Sequence, residues 1–194
     1  MEQSKRVWLI SLALSFLLSF CLIGCARVAE TRSDLPNVPA PEDQPAPTPE
    51  TPRKFPSASG FVNDFAEVLD PAAERDIENK LAKFQKKQKV DFAVVTILST
   101  GPESIDDYSL QMAKEWKIGS ENGGLLLVIS REDRKWRIQI DRELEKLITN
   151  EETYKIGELM VPAFRKNDYK TGLQQAVDAA IATLTAKLNA SPIR

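Results

Sequence analysis

The chain has 194 residues, of which 28% are charged and 42% are hydrophobic, and its formal net charge is -2. This near balance provides no basic surface of the kind that binds nucleic acid, so the composition argues against a nucleic-acid partner. The sequence has no histidine, which excludes Ser-His-Asp and Cys-His nucleophilic sites and HExxH zinc sites. Any catalysis would depend on carboxylates, lysine, hydroxyls, backbone amides or a hard metal ion.

The N-terminus has the pattern of an export signal. Lys5 and Arg6 precede an apolar run over residues 7–22, and the run ends at Leu22-Ile23-Gly24-Cys25. A positive region, an apolar region and a small residue before the cleavage point are typical of such a signal. The last four residues resemble a bacterial lipobox, which predicts a signal peptide over residues 1–24 and a lipidated Cys25 that carries acyl chains such as palmitate.

The alternative is an uncleaved membrane anchor, because the apolar run approaches the roughly 17–25 residues that a transmembrane helix needs. Both interpretations place the rest of the chain in the cell envelope. Both also predict a domain that faces the periplasm or the extracellular side and is attached to a membrane.

A proline-rich segment follows the signal. Residues 26–56 contain eight of the 12 prolines of the chain and show no hydrophobic period. Proline favours an extended polyproline II path, so this composition predicts a semi-rigid spacer. The predicted division is a linker over residues 25–56, which begins with the lipidated cysteine, and a folded domain over residues 57–194.

The first half of the domain predicts two helices and one buried strand. Asp70 and Pro71 suit the cap and the first position of a helix whose apolar face repeats through Ile77, Leu81 and Phe84. Residues 91–98 are rich in β-branched side chains and have the length of a buried strand. Ser104 and Asp107 then fit a capping box that opens a second helix.

The centre of the domain predicts a hairpin. Residues 123–130 are apolar almost throughout, which indicates a strand buried on both faces, whereas residues 135–141 alternate in polarity and indicate a half-exposed strand. The order of strand, helix and strand before the hairpin predicts a right-handed crossover between parallel strands. Ligand sites in such sheets lie beyond the carboxyl ends of the strands.

The C-terminal part predicts helices that cover the sheet. Asn150 suits a helix cap, and Pro162 is expected to kink or end the helix that follows. Asp168 is expected to open the last helix, which keeps a helical period from Leu173 to Leu188.

Five short motifs follow one another in the domain: Val62-Asn63-Asp64-Phe65-Ala66-x-Val68-Leu69, Asn122-Gly123-Gly124-Leu125-Leu126-Leu127-Val128, Arg137-Ile138-x-Ile140, Met160-Val161-Pro162-Ala163-Phe164-Arg165 and Asn167-Asp168-Tyr169-x-x-Gly172-Leu173. In this order and spacing they resemble the TPM domain family, named for thylakoid, phosphatase and membrane-associated members. The resemblance covers Phe61 to Leu188. It implies an α/β fold, a three-layer α/β/α sandwich with a small mixed sheet, which agrees with the parallel crossover and the antiparallel hairpin.

One segment departs from the family pattern. A glycine-rich stretch and a later aspartate usually follow the second hairpin strand, but this chain has Asp141-Arg142-Glu143-Leu144-Glu145-Lys146 there and Asn150 later. A loop without glycine cannot let its backbone approach a phosphate closely, which disfavours a phosphatase.

Four oxygen-bearing residues are the candidate site. Asp64, Asn122, Glu145 and Asp168 come from four loops or element ends. Carboxylates and amide oxygens suit Ca²⁺ or Mg²⁺, and the resemblance likewise implies a metal or phosphate-ester site. Alternatively, these residues are structural: Asp64 in an Asx-turn, Asn122 in a turn before glycine and Asp168 as a helix cap.

The sequence therefore predicts two alternative functions. The first is a binding or accessory module, tethered to the membrane, that takes part in assembly, repair or quality control of envelope membrane proteins. The second is a metal-dependent phosphatase that acts on phosphate esters.

Overall fold

The computed structural model describes residues 55–191. The predicted signal peptide, Cys25 and nearly all of the linker lie outside these residues. The described elements follow in chain order: β1 (Val62–Asp64), α1 (Pro71–Gln88), β2 (Asp91–Ile97), α2 (Ile105–Glu115), β3 (Gly124–Ser130), β4 (Lys135–Ile140), a 3₁₀ turn (Leu144–Lys146), α3 (Asn150–Glu158), α4 (Val161–Phe164) and α5 (Tyr169–Ala190).

The sheet has four strands in the order β1-β2-β3-β4, the first three parallel and the last antiparallel to β3. The predicted parallel crossover and hairpin are thus confirmed. The sequence predicted only one strand before the hairpin, and that count was wrong because β1 is a further strand at the edge. Its three residues are too few to show the alternation by which strands are recognised.

The helices begin largely where the capping residues predict. Asp70 accepts from two amides of the first turn of α1, and Ser104 accepts from the Asp107 amide at the start of α2. Asp168 likewise caps α5. The cap of α3 is Thr149, one residue before the predicted Asn150, because Thr149 and Glu152 form a reciprocal capping box.

Helices cover both faces of the sheet, which confirms the predicted layers. On one face, side chains of α1, α3 and α5 pack with those of the strands in the larger core. On the other face, the core is smaller, and α2 and Phe55 cover the sheet. Phe55 precedes the predicted domain boundary at residue 57 but is only 5% exposed, so the packed domain already includes residue 55.

The strands have the burial that their patterns predict. All seven residues of β3 are buried, as expected for a central strand. In β4, Ile138 and Ile140 point into the larger core and Trp136 packs against it. Over residues 55–191, no helix combines the length and the apolar character that a membrane span requires.

Candidate functional site

The three parallel strands end at the same end of the sheet. Asp64 of β1 lies beside Thr96 of β2, which lies beside Ile129 of β3. We call this the carboxyl end of the sheet and the opposite end the amino end. The loops that follow β1, β2 and β3 therefore meet at the carboxyl end, where parallel sheets usually bind ligands.

A groove of about 1100 Å³ opens at the carboxyl end. One wall is formed by Glu67 and Val68 after β1, and another by the turn of the hairpin over residues 130–136. The third wall comes from α4 and the start of α5, including Arg165 and Tyr169. We call this feature the carboxyl-end groove.

The carboxyl-end groove carries an excess of positive charge. Four cationic side chains line it against two acidic ones, Glu67 and Glu132. Arg131 donates to the Ala66 carbonyl at 2.9 Å and lies 3.9 Å from the Glu132 carboxylate. Within the described part of the chain, the other three cations form no ion pair: Arg134, Lys135 and Arg165.

Aromatic side chains form the apolar part of the groove. Phe164 and Tyr169 lie with ring centroids 4.8 Å apart, and the Trp136 ring lies 5.4 Å from the Tyr154 ring. Trp136 also packs closely against Gly157, where any side chain would collide with the indole. The groove thus combines positive charges with packed flat rings, a combination that suits an anionic ligand with an apolar part.

Asp133 fixes the hairpin turn that carries most of the cations. Its carboxylate accepts from Ser130 Oγ at 2.6 Å, from the Thr100 amide at 2.8 Å and from Ser99 Oγ at 2.9 Å. These bonds, first that from Ser130, lower the pKa of Asp133 to about 2 from its ordinary 3.8. The turn is therefore tied to the loop after β2 while its cations remain exposed.

Asp64 has a similar role on the wall after β1. Its carboxylate accepts from the amides of Val68 at 3.1 Å and Leu69 at 2.8 Å, and Thr96 Oγ1 donates to it as well. The Ala66 amide in turn donates to Thr96 Oγ1 at 3.2 Å. The sequence allowed an Asx-turn here, which would use the amide two residues on; instead the carboxylate bridges a wider loop to amides four and five residues on, and this positions Glu67 and Val68 at the groove.

Three residues that line the groove have left-handed backbone. Their φ angles are 51° at Glu67, 54° at Arg134 and 58° at Asn167. Asparagine tolerates this conformation, but for arginine and glutamate it costs roughly 1–2 kcal/mol. Such outliers cluster at ligand sites, so their meeting on three separate loops supports a functional assignment for the groove.

The structure divides the four predicted ligands between the two ends of the sheet. Asp64 lies at the carboxyl end, whereas Asn122 donates from Nδ2 to the Gln88 carbonyl at 2.8 Å, just before β2 begins. Glu145 lies in the 3₁₀ turn after β4, also at the amino end. Asp168 accepts from the Thr171 amide at 3.0 Å, and this bond holds the pKa of the carboxyl below its ordinary value.

The fold therefore does not bring these four residues into one site. Among residues 55–191, no group of three or more acidic side chains is arranged to hold a metal ion. The sequence predicted only a hairpin between residues 123–130 and 135–141, so the cations of the groove were missed. The available signal was the position of this charged turn, directly after a buried parallel strand.

The fold and the groove together define a small mixed α/β domain with a cationic site at the carboxyl ends of its parallel strands. The family model described as the TPM domain matches residues 62–183. This chain therefore belongs to the TPM domain family, as its motifs predicted. A search of curated proteins found no match.

Three solved structures support the same fold. The N-terminal domain of a protein from P. gingivalis is 32% identical, with a TM-score of 0.62, and the match covers 66% of this chain and 84% of that one. The N-terminal domain of a Corynebacterium glutamicum protein is 14% identical, with a TM-score of 0.54 and coverage of 71% and 84%. A protein from the psychrophilic bacterium Bizionia argentinensis is 17% identical, with a TM-score of 0.56 and coverage of 62% and 84%. The last two show the fold alone.

Proposed function

We propose that this chain is a lipid-anchored accessory module of the cell envelope that binds acidic segments of envelope membrane proteins in its carboxyl-end groove. The observation that carries the proposal is a set of three cations, Arg134, Lys135 and Arg165, that line the groove beside aromatic rings and form no ion pair with any residue the structure describes. The anchor at Cys25 and the proline-rich spacer, both predicted from the sequence, would hold the groove outside the cytoplasm near such partners.

The charge pattern favours an acidic peptide over other ligands of the same size. The groove has room for several side chains, and its cations are spread over two walls, three on the hairpin turn and Arg165 after α4. Exposed cations of this kind accelerate association with an acidic partner and fix its orientation, while the rings supply apolar contact. Assembly or quality control of membrane proteins is a setting in which exposed acidic loops need such a partner.

A binding measurement tests this proposal. The probe is a fluorescent peptide of ten residues that contains aspartate, glutamate and one phenylalanine, compared with a peptide in which lysine replaces each acid. The protein is the chain from residue 26 onward. We expect the double variant Arg134→Ala, Lys135→Ala to lose about tenfold in affinity, since exposed charge pairs contribute roughly 0.2–1 kcal/mol each.

The matched control removes two positive charges from another surface. Lys86→Ala, Lys87→Ala changes two exposed lysines of α1 and leaves the net charge equal to that of the groove variant. Equal weakening by both variants would show that only the overall charge matters and would overturn the assignment of the groove. Equal binding of the acidic and the basic peptide would do the same.

A second experiment tests the partner in cells. A photoreactive phenylalanine at Tyr169, which lines the groove, should capture envelope membrane proteins that the same residue at Lys87 does not capture. If position 169 captures none, the accessory function loses its support.

The alternative, a metal-dependent phosphatase, is favoured by one observation. Guanidinium and ammonium groups around a groove would also bind a phosphate ester, by donating hydrogen bonds to its oxygens. Assay of an aryl phosphate with and without Mg²⁺, Mn²⁺ and Ca²⁺ separates the two functions. Metal-dependent hydrolysis that disappears in the Arg134→Ala, Lys135→Ala variant and persists in the α1 control would favour the enzyme.

A further inference from the structure

The outer edge of β4 directs backbone groups away from the sheet. The Asp141 amide donates to the Gly124 carbonyl at 3.0 Å, and this bond fixes the alternation of the antiparallel pair that β4 forms with β3. Residues in step with Asp141 along β4 therefore bond to β3. The residues between them direct their amides and carbonyls outward: Trp136, Ile138 and Ile140.

Two of these residues keep their outward groups available. The Ile140 carbonyl accepts from Gln139 Nε2 at 3.1 Å. In contrast, no group within residues 55–191 hydrogen-bonds to the outward amide or carbonyl of Trp136 or Ile138. Ile138 is also only 2% exposed, and buried backbone groups are nearly always paired. Trp136 and Ile138 thus offer two amides and two carbonyls to a partner strand.

The opposite edge of the sheet is closed by a side chain. Along β1 the Val62 amide donates to Glu78 Oε2 at 2.7 Å, and the Phe61 amide donates to Oε1 at 3.1 Å. Proteins commonly protect edge strands from pairing with other chains by such devices. Among the described residues, no comparable side chain caps β4 at Trp136 and Ile138, so this edge alone is left for strand addition.

A cleft of about 300 Å³ lies along the open edge. It is lined by residues 134–138, by Asp106 at the start of α2 and by Tyr154 of α3. Since α2 and α3 cover opposite faces of the sheet, a cleft that both helices line lies beside the edge strand. We call this feature the β4 cleft.

The charges of the β4 cleft favour an acidic segment. Arg134, Lys135 and Arg137 line it against one carboxylate, that of Asp106, which lies 3.2 Å from Arg137. Arg134, Lys135 and Trp136 also line the carboxyl-end groove. The cleft and the groove are therefore continuous, and one bound segment can occupy both.

The two faces of β4 set the pattern of side chains that a partner strand needs. Arg137 and, by alternation, Lys135 lie on the α2 face, whereas Trp136 and Ile138 lie on the face of the larger core, with the Tyr154 ring beside Trp136. Successive side chains of an added strand point to the same two faces in turn. Side chains of neighbouring strands interact on each face, so acidic residues fit the α2 face and apolar residues fit the other.

We propose that the acidic segment binds as a fifth strand of the sheet, paired with Trp136 and Ile138 in the β4 cleft and continuing into the carboxyl-end groove. The partner is then an extended segment in which acidic and apolar residues alternate. This inference rests on the proposed function, because the cleft and the groove share residues. It adds the conformation of the partner and the pattern of its sequence.

Amide hydrogen exchange, measured by NMR in the chain from residue 26 onward, tests the strand addition. The probe is a peptide of ten residues in which glutamate and valine alternate. With this peptide at saturation, we expect the amides of Trp136 and Ile138 to exchange at least about fivefold more slowly, within the range that one hydrogen bond contributes to an equilibrium. The Arg137 amide already bonds to β3 and should change less.

A peptide of equal composition provides the matched control. It has five glutamates followed by five valines, so it carries the same charge without the alternation. We expect it to bind at least about fivefold more weakly than the alternating peptide, since it cannot place acids on one face and apolar side chains on the other. Equal affinity of the two peptides would overturn the strand addition and leave the proposed function intact.

The exchange data separate the remaining outcomes. Unchanged exchange at Trp136 and Ile138 in the bound complex would overturn the strand addition, as would failure of the alternating peptide to bind. If the peptide of aspartate, glutamate and phenylalanine also fails to bind, the proposed function falls with it. Sedimentation velocity without peptide should show a monomer. A dimer in which these two amides are already protected would assign the edge to a second copy of the chain and overturn the proposal.

A charge variant tests the acidic face of the partner. Arg137→Gln removes a cation that lines the β4 cleft and not the groove, and it removes the partner of Asp106. We expect about two- to fivefold weaker binding of the alternating peptide, which is the range of an exposed ion pair. The matched control is Arg75→Gln, at an exposed arginine of α1. Equal weakening by both variants would show an effect of overall charge and would overturn the charged face of the cleft.

Discussion

The two ends of the sheet are built from similar residues but differ in packing. At the amino end, Asn122 donates to the Gln88 and Lys89 carbonyls through its side chain and its backbone, and Gly124 packs against the backbone of Gly119. At the carboxyl end, Asp64 and Asp133 tie down loops that stand apart and leave a groove. Polar residues of the family motifs lie at both ends of the sheet, in close packing at the amino end and beside a groove at the carboxyl end. A polar motif alone therefore does not locate a ligand site.

The largest expected loss of stability comes from adding a side chain at the closely packed amino end. In Gly124→Ala the new Cβ would lie 2.6 Å from Gly119 N and 2.8 Å from the Ile118 carbonyl carbon, both backbone atoms that cannot move aside. We expect the free energy of unfolding to fall by about 3 kcal/mol, the upper part of the range for overpacking. Urea denaturation measures it.

Gly101→Ala is the control for this change. Gly101 has φ +68° and nothing within 4 Å of an added Cβ, so only left-handed backbone strain opposes the alanine. That strain should lower the free energy of unfolding by about 1–2 kcal/mol. A loss for Gly124→Ala no greater than for Gly101→Ala would contradict the close packing of the amino end.

A smaller effect is expected from Asp133→Asn at the open end. The pKa of Asp133 is lowered in the folded state, so its ionised carboxylate stabilises the fold above pH 3.8, and this contribution is lost as the pH falls toward about 2. We expect the variant to be less stable at neutral pH and to lose this part of the pH dependence. Urea midpoints measured between pH 2 and pH 7 test it.

Asp141→Asn at the amino end provides the comparison. Asp141 accepts one amide, that of Leu144 at 3.0 Å, whereas Asp133 accepts from three residues. We expect a smaller loss of stability at neutral pH in this variant. A loss as large as that of Asp133→Asn would remove the distinction between the two ends.

The smallest expected change is a gain in stability. Arg134→Gly relieves left-handed strain at φ 54°, and after the greater entropy of the unfolded chain is deducted we expect about 0.5–1 kcal/mol of added stability. The same variant should bind the acidic peptide more weakly. Arg134→Ala keeps the strain and loses the charge, so it should weaken binding without the gain in thermal stability. Unchanged binding in both variants would show that Arg134, with its strained backbone and its charge, takes no part in ligand recognition.

Local patterns predicted most of the fold. The apolar run of β3, the alternation of β4 and the capping residues Asp70 and Ser104 each act over a few neighbours, and the structure confirms them. The edge strand β1 was missed because three residues carry no period. The cap of α3 was misplaced by one residue because Asn150 and Thr149 both suit a cap, and only the reciprocal bond with Glu152 selects Thr149.

The candidate site was much less predictable. Its cations come from residues 131–135 and 165, which meet only because the hairpin turn and α4 fold over the same strand ends. The predicted ligands Asp64 and Asn122 both hydrogen-bond to nearby backbone groups, a structural role that sequence alone cannot distinguish from metal binding. The site depends on residues that are far apart in the sequence and meet only in the folded domain. Local sequence patterns do not contain this information.

The seating of Phe55 has a mechanical consequence. If the chain before residue 55 is pulled, the tension reaches Phe55 and the hydrogen bond to the Pro56 carbonyl before it reaches β1. These contacts can open and lengthen the chain by a few residues while β1 stays paired with β2.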